Sequence, residues 1–296
     1  MSDKLSIILM LTLALAVTQT VSGAESISRV TIIVDAFGKS SALKMDWGFS
    51  ALVEHGGKRV LFDTGNNAEI FAHNVKALGI HLTRLDFVVI SHRHGDHTDG
   101  LRHLLKVNPR VKIYVPSDEH FGGLTPPEFY RRSVPSLPAH MRYFAGVAPT
   151  SVPHGSAWTG ANLELMRDIT EIAPGIKIVP SGSQATGFSL PELSLSIKTS
   201  KGQVLLVGCS HPGIESILEA ASAADNRVQL IFGGLHWVSM PEAEIERFAL
   251  ALRDKWKVAE VAPGHCTGEP AFASLQKIFG EKYLYAGVGT VMNIPR

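Results

Sequence analysis

Cysteine is scarce in this chain, with Cys209 and Cys266 the only two among 296 residues. Two thiols cannot make a disulfide scaffold, so the fold must rest on a packed core. An excess of charge of one sign is missing as well: 28 Lys and Arg face 27 Asp and Glu, for a formal charge of +1. Binding a polyanion needs clustered basic residues, and none stand out, so nucleic acid is not an expected partner. A long apolar run is also lacking. The longest, Leu5–Val17, has thirteen residues and is interrupted by Ser6 and Thr12, whereas a bilayer span takes about twenty. That run follows Lys4 and precedes Ser22-Gly23-Ala24, a small-x-small pattern of the kind cleaved in export signals. Residues 1–24 are therefore expected to be a signal peptide, and residues 25–296 a mature chain in the periplasm or outside the cell with no stable membrane anchor. An uncleaved N-terminal anchor is the alternative; a lipoprotein is excluded, since no cysteine lies there.

What is present is an ordinary globular composition, 45% hydrophobic and 19% charged, enough to bury a sizeable core. Strand patterns fall at 30–34, 48–54, 59–62, 85–90, 111–115, 193–199, 203–207, 228–232 and 258–261. Helical patterns fall at 67–78, 98–105, 214–223, 242–252 and 271–278, with Ile70, Phe71, Val75 and Leu78 sharing one face of the first. This alternation predicts an α/β architecture, and hairpin turns such as Gly56-Gly57 predict mixed sheets. The pattern breaks over 116–174, where prolines recur at 116, 126, 127, 135, 138, 149 and 153. Phe121, Phe129, Tyr130, Tyr143, Phe144 and Trp158 are interleaved there with Arg131, Arg132 and Arg142. Such an insertion is a lid over a site or a surface excursion held by its own aromatics. As a lid, its arginines suit an anionic small-molecule substrate.

The chemistry concentrates in Ser91-His92-Arg93-His94-Gly95-Asp96-His97, directly after the apolar run Phe87–Ile90. Imidazole and carboxylate are ligands for zinc or a similar ion. In an extended segment His92 and His94 point the same way, so both can hold one ion. The turn at Gly95 redirects Asp96 and His97 toward a second. A solvated histidine cluster at a loop tip would be the inert alternative.

His-x-His-x-Asp-His after an apolar strand resembles the signature of the metallo-β-lactamase superfamily. The resemblance implies an αβ/βα four-layer sandwich, two mixed β-sheets flanked by helices, with metals in a groove at the strand ends. It implies two divalent metal ions, zinc first, with iron or manganese as alternatives. It makes Asp63, at the end of the third strand, an orienting residue that holds a ligand without touching metal; capping a helix is its ordinary alternative. His211, in Gly208-Cys209-Ser210-His211 after another apolar strand, becomes the third imidazole of the first ion, with a helix-cap role as its alternative. His265, in Pro263-Gly264-His265-Cys266, joins Asp96 and His97 on the second.

The chain departs from the commonest pattern. No upstream Gly-His histidine occurs between Thr159 and Val207, and Cys209 stands where a bridging Asp is usual. The Gly-Cys-Ser-His form, with Gly234-Leu235-His236 and Gly264-His265-Cys266, resembles a subgroup of dihydropterin-linked ribofuranosylaminobenzene-phosphate synthases. Cys209 is a thiolate ligand or an inert thiol, or forms a disulfide with Cys266. His236 contacts substrate or metal, or is a hydrogen-bonded core histidine.

Function follows in three forms. The first is a metallohydrolase of an ester, lactone, amide or phosphoester, using water whose pKa bound ions lower from about 15.7 to about 7, with Asp96 as ligand and proton acceptor. The second is a condensing synthase, whose pterin-type substrates sit poorly with export. The third is a non-catalytic or redox metal protein. His94 stands where oxygen-reducing di-iron relatives carry glutamate, which weakens the redox branch. N-terminal sequencing of protein from the native host is expected to start near Glu25; a cytosolic chain starting at Met1 or Ser2 would overturn the export reading.

Overall fold

The structure, a computed structural model, describes residues 28–118, 121, 134–150, 158, 160–182, 190–225 and 227–295. The expected signal peptide lies outside the described residues, as do Phe129, Tyr130, Arg131 and Arg132 of the insertion.

The chain starts its first sheet with β1 (Arg29–Val34), β2 (Ser50–His55) and β3 (Lys58–Phe62). β-Branched residues dominate β1 and fit a pleated, buried surface. The β2–β3 hairpin turns on Gly56 and Gly57, with φ of 56° and 77°, the paired left-handed conformation of a tight hairpin that glycine adopts freely. Helix α1 (Ala68–Ala77) follows, capped by Asn67, whose side chain accepts from Glu69 N and Ile70 N. Asp63 therefore has no capping role.

β4 (Phe87–Val89) pairs parallel to β3. Beyond it the single helix expected from Thr98 is split into α2 (Gly95–Thr98) and α3 (Leu101–Val107). Gly100 sits at the break, where an added Cβ would lie 2.1 Å from the Thr64 carbonyl oxygen. Neither Thr98 nor Asp99 caps α3: Thr98 Oγ1 donates to the His94 carbonyl, and Asp99 accepts from Arg102 Nε. β5 (Lys112–Pro116) and β6 (Asn162–Met166) extend the parallel part of the sheet.

The second sheet is built from β7 (Thr170–Ala173), β8 (Ile176–Ser181), β9 (Glu192–Thr199), β10 (Gly202–Val207), β11 (Val228–Gly234) and β12 (Glu260–Gly264). Helices α4 (Ile214–Ser222), α5 (Glu242–Asp254) and α6 (Glu269–Phe279) cover its outer face. β13 (Val291–Asn293) then returns to the first sheet beside β1. The strand orders are β13-β1-β2-β3-β4-β5-β6 and β12-β11-β10-β9-β8-β7. Both sheets are mixed, as expected.

β6 and β7 correct the expectation that the irregular insertion runs to residue 174, and β8 was not anticipated. β6 and β7 are edge strands. β6 exposes alternate polar residues, and its Glu164 pairs with Lys112 on β5. Edge strands bury less and so carry a weaker apolar signal.

The core lies in three layers. Between the sheets, Val30, Ile32, Val53, Val60 and Phe62 meet Ile178, Leu195, Ile197, Val204, Leu206 and Phe232. Outside the first sheet, Phe71, Leu101 and Leu104 pack over Leu61, Val88 and Ile113. Outside the second, α4 to α6 cover Leu205, Val207 and Ile231. β10 shows why Val204–Val207 is a continuous apolar run: Val204 and Leu206 face the other sheet, and Leu205 and Val207 face helices. This is an αβ/βα sandwich. Among the described residues no helix is long and apolar enough to cross a membrane.

Leu206→Ala, at a fully buried site between the sheets, is expected to lower unfolding stability by about 2–5 kcal/mol. Val291→Ala, on the exposed side of β13, should stay within about 0.5 kcal/mol of wild type. Urea titration checks both.

Candidate metal centre

The donors gather at the carboxyl ends of parallel strands, the usual ligand crevice of an α/β sheet. Asp63 follows β3, and Ser91 to His97 follow β4. Cys209 to His211 follow β10, His236 follows β11 and His265 follows β12. α2 is a single turn whose start places Asp96 and His97 opposite the extended His92–His94 segment.

Two donor groups result. Ligand atoms of His92, His94 and His211 lie within 4.8 Å of one another, and so do those of Asp96, His97, Cys209 and His265. In the first group His92 Nε2 is 3.1 Å from His94 Nδ1. In the second, His97 Nε2 is 3.2 Å from both His265 Nε2 and Cys209 Sγ. Asp96 Oδ2 is 3.3 Å from His265 Nε2 and 3.7 Å from His97 Nε2. The groups adjoin, with the His92 and His97 rings 4.2 Å apart. The structure thus brings together every residue expected to hold metal. His92, His97, Cys209 and His265 form a buried back, while His94 is exposed and Asp96 and His211 are half-buried.

Asp63 has φ of 56° and is fully buried. Its carboxylate accepts from Ser91 N (2.7 Å), Ser91 Oγ (2.7 Å) and His97 Nδ1 (2.7 Å). Because Ser91 Oγ donates to Asp63, it accepts from His92 Nδ1 at 2.9 Å. One carboxylate thereby orients two imidazoles, so that in the neutral rings the Nε2 lone pairs of His92 and of His97 face the donor groups.

Two other buried carboxylates escaped the sequence reading. Glu192 accepts from Cys209 N (2.8 Å), Ser210 N (2.9 Å) and His211 N (2.9 Å), clamping the whole loop. Asp35 accepts from His265 N at 3.1 Å with both oxygens, and Gly264 leaves it room, since a Cβ there would lie 2.5 Å from Asp35 Oδ2. A charged residue directly after the apolar end of β1 was the available signal for Asp35, whereas Glu192 opens a strand that alternates apolar and polar residues and gave none. Burial pushes Asp35 up to about 8 and raises Glu192, although backbone hydrogen bonds pull against it in each case.

The electrostatics suit a cation. Burial lowers His92 far below the ordinary imidazole value, and the neighbouring imidazoles lower it further. Burial also lowers His94, and takes His211 to about 3 with help from His236 and His94. Metal binding needs neutral imidazoles. Burial acts to lower His97 too, but the Asp63 carboxylate outweighs it and raises His97 to about 9, so an ion taking its Nε2 below that pH displaces a proton. Burial would raise Asp96, yet the His265 hydrogen bond and adjacent imidazoles hold its carboxyl well below the usual range. The second group therefore places carboxylate charge where positive charge is wanted. His211 Nε2 is buried and without a hydrogen-bond partner in the structure, which leaves it available to an ion shared with His92 and His94. The donor set fits divalent ions.

Several alternatives fall away. His211 does not cap α4, since Gly213 holds that position. His236 is not a core histidine: it is exposed, has φ of 55°, and its ring is tilted against that of His211 with the centroids 4.3 Å apart. Cys209 and Cys266 are free thiols, not a disulfide.

An αβ/βα sandwich with two adjoining His-rich donor groups at its strand ends defines a class of metal-site proteins, and the comparisons agree. Residues 48–181 match the family model of the metallo-beta-lactamase superfamily. The chain is 30% identical over 294 residues to the 7,8-dihydropterin-6-methyl-4-(beta-D-ribofuranosyl)-aminobenzene-5'-phosphate synthase of Methanocaldococcus jannaschii, covering 89% of this chain and 96% of that one. The crystal structure of Tm1679, described as a metal-dependent hydrolase of the beta-lactamase superfamily, superposes with a TM-score of 0.68 at 25% identity, over 91% of this chain and 100% of that one. The metallo-beta-lactamase fold protein YhfI from Bacillus subtilis shares the fold at 13% identity, with a TM-score of 0.57 over 91% of this chain and 100% of its own. The chain belongs to the metallo-beta-lactamase superfamily.

Asp63→Asn keeps size and the oxygen that accepts from Ser91 N, but replaces the oxygen facing His97 Nδ1–H with an NH2 that donates and cannot accept. Metal affinity, read by chelator competition, is expected to fall about 10–100-fold with the circular dichroism unchanged. Unchanged affinity would show that Asp63 does not orient the imidazoles.

Proposed function

We propose that this chain is an exported, divalent-metal-dependent hydrolase of a small molecule carrying an ester, lactone, amide or phosphoester bond. The observation that supports it most is the join between the two donor groups, where ionised Asp96 lies beside His97 and His265 on the open side of an otherwise buried cluster. His92, His94 and His211 would hold one ion, and Asp96, His97 and His265 the other, with zinc expected and iron or manganese as alternatives. Bound ions supply Lewis acidity toward the scissile carbonyl or phosphoryl oxygen and bring the acidity of water near neutrality. Substrate approaches from the side of His94, Asp96, His211 and His236, because His92, His97 and His265 are closed off behind them. Asp96 accepts a proton on its carboxylate there, and Asp63 keeps His97 oriented while it does so. Export rests on Leu5–Val17 and the small residues before Glu25.

A second reading has its own support, the 30% identity to a synthase over 89% of the chain. In that reading the same centre joins a dihydropterin methyl carbon to a ribofuranosylaminobenzene phosphate, whose nucleophilic atom takes the place of water and displaces a leaving group from that carbon.

The test is a screen of metal-replete protein across ester, lactone, phosphoester and β-lactam substrates, followed by Asp96→Asn on whichever is cleaved. The variant is expected to stay folded, retain roughly one ion, and lose at least about a hundredfold in rate, within the range for loss of a general base. Near wild-type turnover by a folded Asp96→Asn protein would overturn the proposal. Condensation of the two aromatic precursors without any hydrolysis would replace it by the second reading.

A further inference from the structure

Cys266 has no part in either donor group described above, yet it lies at their edge. Its Sγ, Cys209 Sγ and an imidazole nitrogen of His236 lie within 4.8 Å of one another. A tetrahedral ion with metal–sulfur bonds of about 2.3 Å needs sulfurs about 3.8 Å apart, so the spacing is of the right size. The three residues come from three strand ends, after β10, β11 and β12, so the sheet register sets their distance.

The backbone is shaped around them. Gly234 packs against Cys266, where an added Cβ would lie 2.7 Å from its Sγ and 2.6 Å from the Gly208 carbonyl oxygen. His236 holds a left-handed φ of 55°, a conformation that is strained for any residue but glycine. That turn carries its ring toward His211, with the ring centroids 4.3 Å apart, and Cys266 Sγ donates to the Cys209 carbonyl oxygen at 3.6 Å. Both thiols are buried and unoxidised, while the imidazole is exposed. Buried thiols with one open imidazole make a pocket that an ion can enter from one side.

We propose that Cys209, His236 and Cys266 form a third metal subsite, selective for a soft, thiophilic ion such as Zn2+, Cd2+ or Cu+. Thiolate donors choose such ions over Mg2+, Ca2+ or Mn2+. Binding forms two metal–sulfur bonds and one metal–nitrogen bond, and releases the two thiol protons to solvent. Cys209 belongs to this subsite and to the Asp96–His97–His265 group. Its sulfur has lone pairs for both, so the subsite adjoins the main centre and bridges to it. The assignment does not depend on which reaction the main centre performs.

The experiment takes the full chain, reduced with a phosphine, stripped with a chelator and titrated with Cd2+ alone. Cadmium–thiolate charge-transfer absorption reports sulfur on the metal. The wild type is expected to show two thiolate contributions, and Cys266→Ser one. His236→Ala, an exposed change that spares the core, is expected to keep both sulfurs but weaken binding of the thiolate-ligated ion at least about tenfold, as loss of even an outer partner does. His94→Ala should leave the band intact. A single thiolate contribution in the wild type, an unchanged band in folded Cys266→Ser, or unchanged affinity in His236→Ala would each overturn the subsite. Loss of the band in His94→Ala would do the same, by placing the sulfurs on an ion of the histidine group.

Discussion

The structure depends on the burial of a negative charge with no room for water. Asp63 is wholly enclosed, and an isolated ionised carboxylate in such a place would cost many kcal/mol. What makes it tolerable is saturation: a backbone N–H, a hydroxyl and an imidazole N–H all point at it. Those donors come from the segment after β4, while Asp63 itself ends β3, so the charge also ties two strand ends together. If the register between β3 and β4 slipped by one residue, Ser91 and the histidines would leave their partner and the charge would stand alone. The hydrogen bonding that orients the imidazoles thus also resists misalignment of the first sheet.

The same device recurs in the second sheet. Glu192 answers to Cys209, Ser210 and His211, and Asp35 reaches across from the first sheet to His265 N. These clamps sit where the backbone is least comfortable. Asp63, Ser210, His236 and His265 all have positive φ without being glycine, at about 1–3 kcal/mol each. Every one of them ends or closely follows a strand at the centre. Strain of this kind survives only where surrounding hydrogen bonds over-determine the local conformation, as they do here for Asp63, Ser210 and His265.

Much of this was legible in the chain because strands buried on both faces read as unbroken apolar runs. Phe87–Ile90 and Val204–Val207 announced themselves in that way, and the donors after them stood out by contrast. His92 and His94 followed from strand period alone. His211 and His265 required the resemblance, since nothing local says that loops so far apart in sequence meet. Edge strands β6 and β7 were hidden for the opposite reason, being half polar and lying near a proline-rich stretch. Glu192 and Asp35 were hidden because a lone acid beside a strand usually faces water. Only the packing of His265 and of the Cys209–His211 loop reveals that their backbone N–H groups need an acceptor there.

The contact between Asp35 and His265 spans 230 residues of sequence. One end belongs to the strand that opens the first sheet, the other to the loop that closes the second. Non-local pairing of this kind slows folding, because chain must be closed into large loops before any contact rewards it. During synthesis the first half of the chain can assemble β1 to β5 and present His92, His94 and His97, but with neither His211 nor His265. An early ion would meet an unfinished set of imidazoles with Asp35 still lacking the N–H it was buried to receive. The centre therefore cannot be complete until the two sheets have docked.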